Sequence, residues 1–566
     1  MRVSSSLYPV LGVALAGVLL ILVPLLATGW ISFMVGVPGM GQYTLSNYVQ
    51  VVRDDFGHRV LLNTLFFAVG SSAISLSLAA PMAWGVARTD LPFRNTIGLL
   101  IGMILVIPGF MQGMGWALML SPNIGMVNRF LMDIMGFEEA PFNIYSLGGM
   151  TFAQGLNLVP PAFFMLLPVL MGMDASFEEA AYLSGAGKVR TFFRINVPLA
   201  GPALIAAGIY VFVLAFALFE IPAVLGFPDR IFVFSTMLYF LVHLQEGGLP
   251  EYGLGAAYGS VVIIVSLLMS AYYTSFFKQG QKYATITGKG RRVKTLKLGK
   301  WRPLALALVL LYFLLALGLP LLVLIYFSLL DFFQLPSFEA LSTFTLRNYS
   351  NVFVRQGLTP FINTGVLVTV VPIAVVLIAI PISWIVVRSR LRGRFIMDNI
   401  AFLPIAVPRI VLAVAMLYLA LIARNLLPIY GTIALIAVAH IIVFMSFATR
   451  TLNAAIIQLH TDLEDAARVS GASIVTVLRK VTAPLLKPAI FATWFWVMLL
   501  SFREVTVAVM LSSADSIVLP AQIWILWNTA FHHEAAAAAV ILAIIALVLM
   551  LLLRRLIQRL STPGGF

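Results

Sequence analysis

Twelve long apolar stretches decide what this chain can become. They run approximately over residues 7–33, 59–87, 95–121, 146–172, 199–226, 253–277, 303–330, 361–387, 395–423, 431–457, 487–512 and 534–553. A stretch of about 20 apolar residues crosses a bilayer as a helix, which satisfies its own backbone hydrogen bonds where no water can. Of the 566 residues, 61% are hydrophobic and 10% charged, against roughly 25% charge in an ordinary soluble chain. The sequence therefore predicts an all-α polytopic membrane protein of twelve spans. The first stretch exceeds the apolar core of about 7–15 residues in a signal peptide and reads as a retained anchor.

An even number of crossings puts both termini on one side. Lys and Arg near spans stay on the cytoplasmic face, and with the N-terminus inside, 27 of the 36 basic residues fall in cytoplasmic segments and 7 in external loops. Both termini are thus expected in the cytoplasm. A net charge of +14 is one footprint of nucleic-acid binding; here the charge follows the membrane topology, and nucleic acid is not an expected partner. With no cysteine, this chain can form neither disulfides nor thiolate metal sites.

The spans fall into two sets of six. Asn63-Thr64 matches Asn363-Thr364, Pro81 matches Pro381, Trp84 matches Trp384, Arg88 matches Arg388, Arg94 matches Arg394 and Pro108 matches Pro408, all at an offset of 300. Such a period marks a duplicated unit, and two six-span copies running the same way are parallel repeats. The expected organisation is a first half over 1–277, a basic, glycine-containing cytoplasmic linker over 278–302, and a second half over 303–566. Acidic and aromatic external segments, among them 34–58, 121–145 and 331–360, are solvated loop surface or a docking face for an external partner.

One polar segment is repeated more faithfully than the spans around it. Glu179-Ala180-Ala181, three residues, Gly185, nine residues and Ile195-Asn196-Val197-Pro198 return 286 positions later as Asp465-Ala466-Ala467, Gly471 and Val481-Thr482-Ala483-Pro484. The offset of 286 places about 14 extra residues in the first half, most simply near 121–145. Ser176 to Glu179 and Thr461 to Glu464 fit a capping box at a helix start, and Gly185 and Gly471 fit a reversal needing positive φ. A second short helix follows, with Val189, Phe192 and Phe193 on one face in the first copy and Val475 and Leu478 in the second; Pro198 and Pro484 are expected to start the next span. By topology both copies lie on the cytoplasmic face, where two equal knobs suit a two-fold partner.

This pattern resembles the signature loop of permeases from binding-protein-dependent ABC importers, with Val197, Asp465, Val481 and Ala483 as the departures. The resemblance implies a type I ABC importer permease fold in the bacterial cytoplasmic (inner) membrane. It further implies two copies of an ATP-binding subunit docked on coupling helices and an external or periplasmic substrate-binding protein. The implied docking positions are Glu178, Glu179, Ala180, Ala181, Gly185 and Pro198, with Glu464, Asp465, Ala466, Ala467, Gly471 and Pro484. No cofactor is expected on this chain, ATP and Mg belonging to the partner subunits. Ser184 to Val189 imitates a phosphate loop, but Tyr182 and Val189 stand where that loop needs glycine and a hydroxyl, so the chain is not expected to be an enzyme.

Polar groups inside spans mark a pathway or a structural pair. Here they are Glu220, Arg409, Arg503, Glu504, and Gln154 with its 286-offset counterpart His440. Phe502-Arg503-Glu504 and Leu519-Pro520-Ala521-Gln522-Ile523-Trp524 resemble the ferric iron subgroup of fused permeases, whose neighbours carry thiamine, phosphonates, polyamines or sulfate. Hard Fe(III) prefers oxygen ligands, and the spans show no paired-carboxylate or His-rich motif. Ferric iron is the expected cargo, and an ion-coupled secondary transporter is the competing class.

Overall fold

The computed structural model describes residues 7–36, 41–174, 176–243, 250–281 and 296–561. Among the described residues, seven helices are long and apolar enough to cross a membrane: Tyr8–Ile31, Asp55–Arg88, Tyr252–Met269, Gly299–Ser328, Thr359–Arg388, Ile433–Gln458 and His532–Leu552. Five further pairs of helices qualify together but are bent, which brings the number of spans to as many as 12. The chain is an all-α, multi-pass membrane protein built as two halves, with one two-stranded ribbon, Met34–Val35 against Gln42–Tyr43.

The bends correct the expectation of unbroken helices. The spans at 95–121 and 395–423 turn by 90° and 103° at Pro108 and Pro408. Proline removes an amide and disfavours helical geometry in the residue before it, and Ile107 accordingly sits extended at φ −82°, ψ 126°. The spans at 199–226 and 487–512 break as well, into Gly201–Ala217 with Glu220–Gly226 and Lys487–Phe502 with Thr506–Leu511.

After each break the chain forms a shorter apolar helix, Phe234–His243 or Leu519–Asn528. Its first amides need acceptors from outside, and the repeated Asn-Thr pair supplies the anchoring. The Thr64 hydroxyl accepts from the Phe234 amide at 2.8 Å, and Thr364 accepts from Leu519 at 2.9 Å. Asn63 donates to the Phe232 carbonyl and Asn363 to that of Ile517. A second duplicated anchor, Leu45-Ser46-Asn47-Tyr48 and Leu346-Arg347-Asn348-Tyr349, was not singled out in the sequence. Asn47 donates to the Ser32 and Met34 carbonyls and Asn348 to those of Ser328 and Leu330, ending the first span of each half in the same way.

The contacts sort the chain into two compact units that cut across the sequence halves: Met1–Asp54 with Leu238–Ile264 and Tyr349–Phe566, and Asp55–Met237 with Val265–Asn348. Each unit therefore contains the opening span of the opposite half. In the first, Tyr8–Ile31 packs on Thr359–Arg388 and Arg409–Ile422, and Ala27, Ile31, Met34, Ala256 and Tyr418 form one buried cluster. In the second, Gly299–Ser328 lies on Gly109–Leu120 so closely that a Cβ on Gly115 would stand 2.5 Å from the Pro320 Cα. Small residues allow such approach where hydrophobic burial gives helices no preference for one another over lipid.

Most of the expected linker, residues 282–295, lies outside the described residues. Where the chain is described again, Leu296 bridges to Thr89, and the Asp90 carboxylate accepts from the Leu298 amide at 2.7 Å. The linker's end is thereby held at the end of the Asp55–Arg88 helix.

The close approach at Gly115 gives the first prediction. Gly115→Ala forces a backbone shift costing about 1–3 kcal/mol and lowers the melting temperature of the purified protein; Gly98→Ala, whose new methyl meets nothing within 4 Å, leaves it near the parent value.

Candidate functional site

Each duplicated loop is hung on a buried carboxylate. The helix Ser176–Leu183 turns Glu178 inward, where it is 6% exposed. Arg88, 1% exposed, grips it with two donors, Nε to Oε1 at 3.1 Å and Nη2 to Oε2 at 2.7 Å. Arg88 Nη1 also holds the Met173 carbonyl, and Asn196 from the far end of the loop donates to Glu178 Oε1 at 2.5 Å. One carboxylate thus ties together the end of the second span, the loop helix and the segment leading into the fifth span.

The second copy keeps the carboxylate and changes the donors. Glu464, in the helix Asp462–Val469, is 5% exposed. Trp384 Nε1 donates to its Oε2 at 3.3 Å and Thr482 to its Oε1 at 2.9 Å, while Arg388 Nε stands 3.7 Å away. Arg388 spends its own donors on the Ile456 and Leu459 carbonyls. The capping-box expectation is corrected in this copy: Thr461 makes no side-chain cap bond, and the Glu464 carboxylate turns inward to Trp384 and Thr482 instead of back to the helix start.

Gly185 and Gly471 adopt φ +77° and +84°. The reversals close with Ala186 N to Ala181 O and Ala472 N to Ala467 O, the long-range bond of a Schellman turn. A Cβ on either glycine would meet nothing within 4 Å, so glycine is needed for the backbone angle rather than for space. The second short helix ends in a wide turn, with Val197 N bonded to Phe192 O and Ala483 N to Leu478 O. Pro198 and Pro484 belong to this end, not to the next span as expected. The spans start at Gly201-Pro202 and Lys487-Pro488 after bends of 67° and 80°, because Pro202 and Pro488 already occupy the first turn, where a missing amide costs little.

The outward faces are equivalent. Leu183 is 91% and Val469, its 286-offset counterpart, 90% exposed, and Ala180, Asp465 and Ala466 are also exposed, whereas Ala181 is buried and Ala467 half-buried. The side chains of Glu179 and Val189 lie outside the described residues; Phe193 is exposed, and Phe192 packs edge-on against Trp84 at 5.0 Å. Leu183 and Val469 were missed in the sequence, although a bare apolar residue two places before the turn glycine in both copies is a signal that could have found them.

The polar residues within spans gather at the breaks. Glu220 is 4% exposed and accepts from the Gly109 and Phe110 amides at 2.5 and 3.3 Å, at the start of the helix beyond the Pro108 bend. Glu504, 1% exposed, is salt-bridged to Arg409 at the start of the helix beyond the Pro408 bend, and accepts from the Val507 amide at 3.2 Å. His440 is fully buried with Nδ1 2.9 Å from the Ser501 hydroxyl. Gln154, also buried, lies beside Asn157, which donates to Gln112; Gln112 in turn donates to the Ala316 carbonyl. Arg503 is half-buried where the Lys487–Phe502 helix ends. Among the described residues no group of three or more His, Asp or Glu is placed to hold a metal ion.

Twelve spans in two six-span repeats, each presenting one loop anchored on a buried carboxylate, define a transport subunit rather than a catalyst. Residues 340–564 match the family of the binding-protein-dependent transport system inner membrane component, and that match together with the two-half fold is consistent with a fused permease of an ABC importer that moves a solute by alternating access. It is 28% identical over 84% of its length to the ferric transport system permease protein FbpB of Actinobacillus pleuropneumoniae, covering 68% of that protein. A putative ferric transport permease of Haemophilus influenzae is 27% identical over 83% of this chain and 72% of its own length. The spermidine/putrescine permease PotB of Escherichia coli is 27% identical over 41% of this chain and 82% of its own. The family implies ATPase subunits and a binding protein as partners.

Removing one member of a buried ion pair strands the other, at about 3–5 kcal/mol. Glu178→Ala is therefore expected to destabilise the purified protein strongly and to raise amide exchange over residues 176–187. Glu464→Ala is expected to cost less, since Arg388 keeps two carbonyl partners.

Proposed function

We propose that this chain imports ferric iron across the bacterial inner membrane, drawing on two ATPase subunits docked at the loops around Gly185 and Gly471. The observation that carries the cargo reading is the extent of the match to ferric transport permeases, which runs through both halves, whereas the polyamine permease matches less than half of the chain. Both termini and both loops are cytoplasmic in this reading, supported by the asymmetry of Lys and Arg. The binding protein delivers cargo on the opposite face, and the ATPases supply ATP and Mg.

The docking assignment is supported by the two loops having the same buried anchor, the same turn and an apolar residue about 90% exposed at the same place. The outward-facing members of the family pattern, Ala180, Asp465 and Ala466, flank these tips. An exposed apolar residue on a rigidly held helix suits a groove in a partner. Closing of the two ATPases on ATP would pull the loops and convert the permease between inward- and outward-facing forms.

Leu183→Asp with Val469→Asp is expected to cut co-purification of the ATPase subunits by roughly tenfold or more, the scale of one lost interface anchor, while the permease itself stays folded. Wild-type recovery of the ATPase would remove the docking assignment. For the cargo, proteoliposomes holding the complete system are expected to accumulate ferric iron in an ATP-dependent way; accumulation of spermidine or 2-aminoethylphosphonate in its place would transfer the chain to a neighbouring subgroup.

A further inference from the structure

The carboxylate under each loop has two possible holders on the second span of its half, and the two halves use opposite ones. Trp84 with Arg88, and Trp384 with Arg388, stand four residues apart on the helices Asp55–Arg88 and Thr359–Arg388, one turn apart on the same side. Two contacts around them are constant. Asn196 and Thr482, 286 positions apart, donate to carboxylate Oε1 at 2.5 and 2.9 Å. Arg88 and Arg388 donate to the carbonyl that follows the fourth span, that of Met173 at 2.9 Å and of Leu459 at 2.5 Å.

The donor to Oε2 is exchanged. In the first half it is Arg88 Nη2 at 2.7 Å, with Nε adding a bond to Oε1, and the buried Trp84 Nε1 has no hydrogen-bond partner among the described residues. In the second half it is Trp384 Nε1 at 3.3 Å. There Arg388 gives its second bond to the Ile456 carbonyl, and its buried Nε, 3.7 Å from Glu464 Oε1, has no hydrogen-bond partner among the described residues. Each Trp–Arg pair thus makes three hydrogen bonds and strands one buried donor, which is costly in either place. Equal bond counts in two arrangements of the same three residue types make a two-state element, the physical requirement for coupling between distant sites.

We propose that Trp84 and Trp384 are positioning residues for coupling: each offers its loop carboxylate a second holder, and each loop passes between an arginine-held and a tryptophan-held setting as the ATPases close and open. One half rests in each setting. The constant contacts keep the loop tied to the fourth and fifth spans while the exchange takes place against the second. This rests on the reading of the loops as ATPase docking points and adds the element that lets an anchored loop take two positions.

The test sets stability against turnover in the complete transporter, reconstituted with its ATPase and binding protein. Benzothienylalanine at position 84 keeps the double ring and carries sulfur in place of the indole N–H. That N–H bonds nothing among the described residues, so the replacement is expected to leave the melting temperature of the permease near the parent value. It is nevertheless expected to slow the ATP hydrolysis stimulated by the binding protein roughly tenfold, the scale of one lost hydrogen bond to a charged group. The same replacement at position 384, where the N–H holds Glu464, is expected to slow hydrolysis and to lower the melting temperature as well. Trp84→Phe, the second variant should the analogue not be incorporated, is also expected to slow hydrolysis. Wild-type hydrolysis by the position-84 variant, or equal losses of melting temperature at positions 84 and 384, would overturn the exchange. Co-purification separates the two readings: a wild-type permease that recovers no ATPase sinks the docking assignment and this one with it, whereas recovered ATPase with an unaltered rate in the position-84 variant sinks this one alone.

Discussion

The loops depend on a carboxylate buried beneath them. Glu178 and Glu464 are each about 5–6% exposed, and each joins a loop helix to the end of the second span and to the approach of the fifth. An ionised carboxylate out of water is costly unless charge and hydrogen bonds compensate it; Arg88 with Asn196 does so in one copy, and Trp384, Thr482 and Arg388 in the other. Because the compensation comes from three segments, the loop cannot move without carrying the spans with it. That is the property a lever needs, and it explains why a surface loop is more faithful in its spacing than the helices that bear it.

Duplication makes the second half a natural variant of the first. The carboxylate, the positive-φ glycine, the wide turn before the span and the exposed apolar tip are present twice, whereas the donors around the carboxylate differ. The same holds at the breaks, where amides in one half and an arginine in the other face the same glutamate.

Much of this was legible in the sequence. Hydropathy located all twelve spans, and the 300 and 286 offsets located the repeats and the loops, because both signals are local. Gly185 and Gly471 were legible for the same reason, since positive φ is a one-residue requirement. The 90° and 103° bends were not, although Pro108 and Pro408 marked them, because hydropathy measures apolar length and not direction. Nor was the inward turn of Glu178, which read as a docking position until Arg88, 90 residues away, was beside it. Compact units that exchange their opening spans are invisible to any local signal, since Tyr8–Ile31 carries nothing in its composition to say which bundle it joins.

The central claim is that one chain offers two equivalent attachment points to a two-fold ATPase. The chain contains no cysteine, so a thiol placed at Leu183 or Val469 stands alone, and cross-linking from each to cysteines in the ATPase subunit tests the claim directly. Each single variant is expected to yield a one-to-one adduct, and the double variant to capture two ATPase copies per chain. Adducts from neither position, or from one position alone, would contradict it.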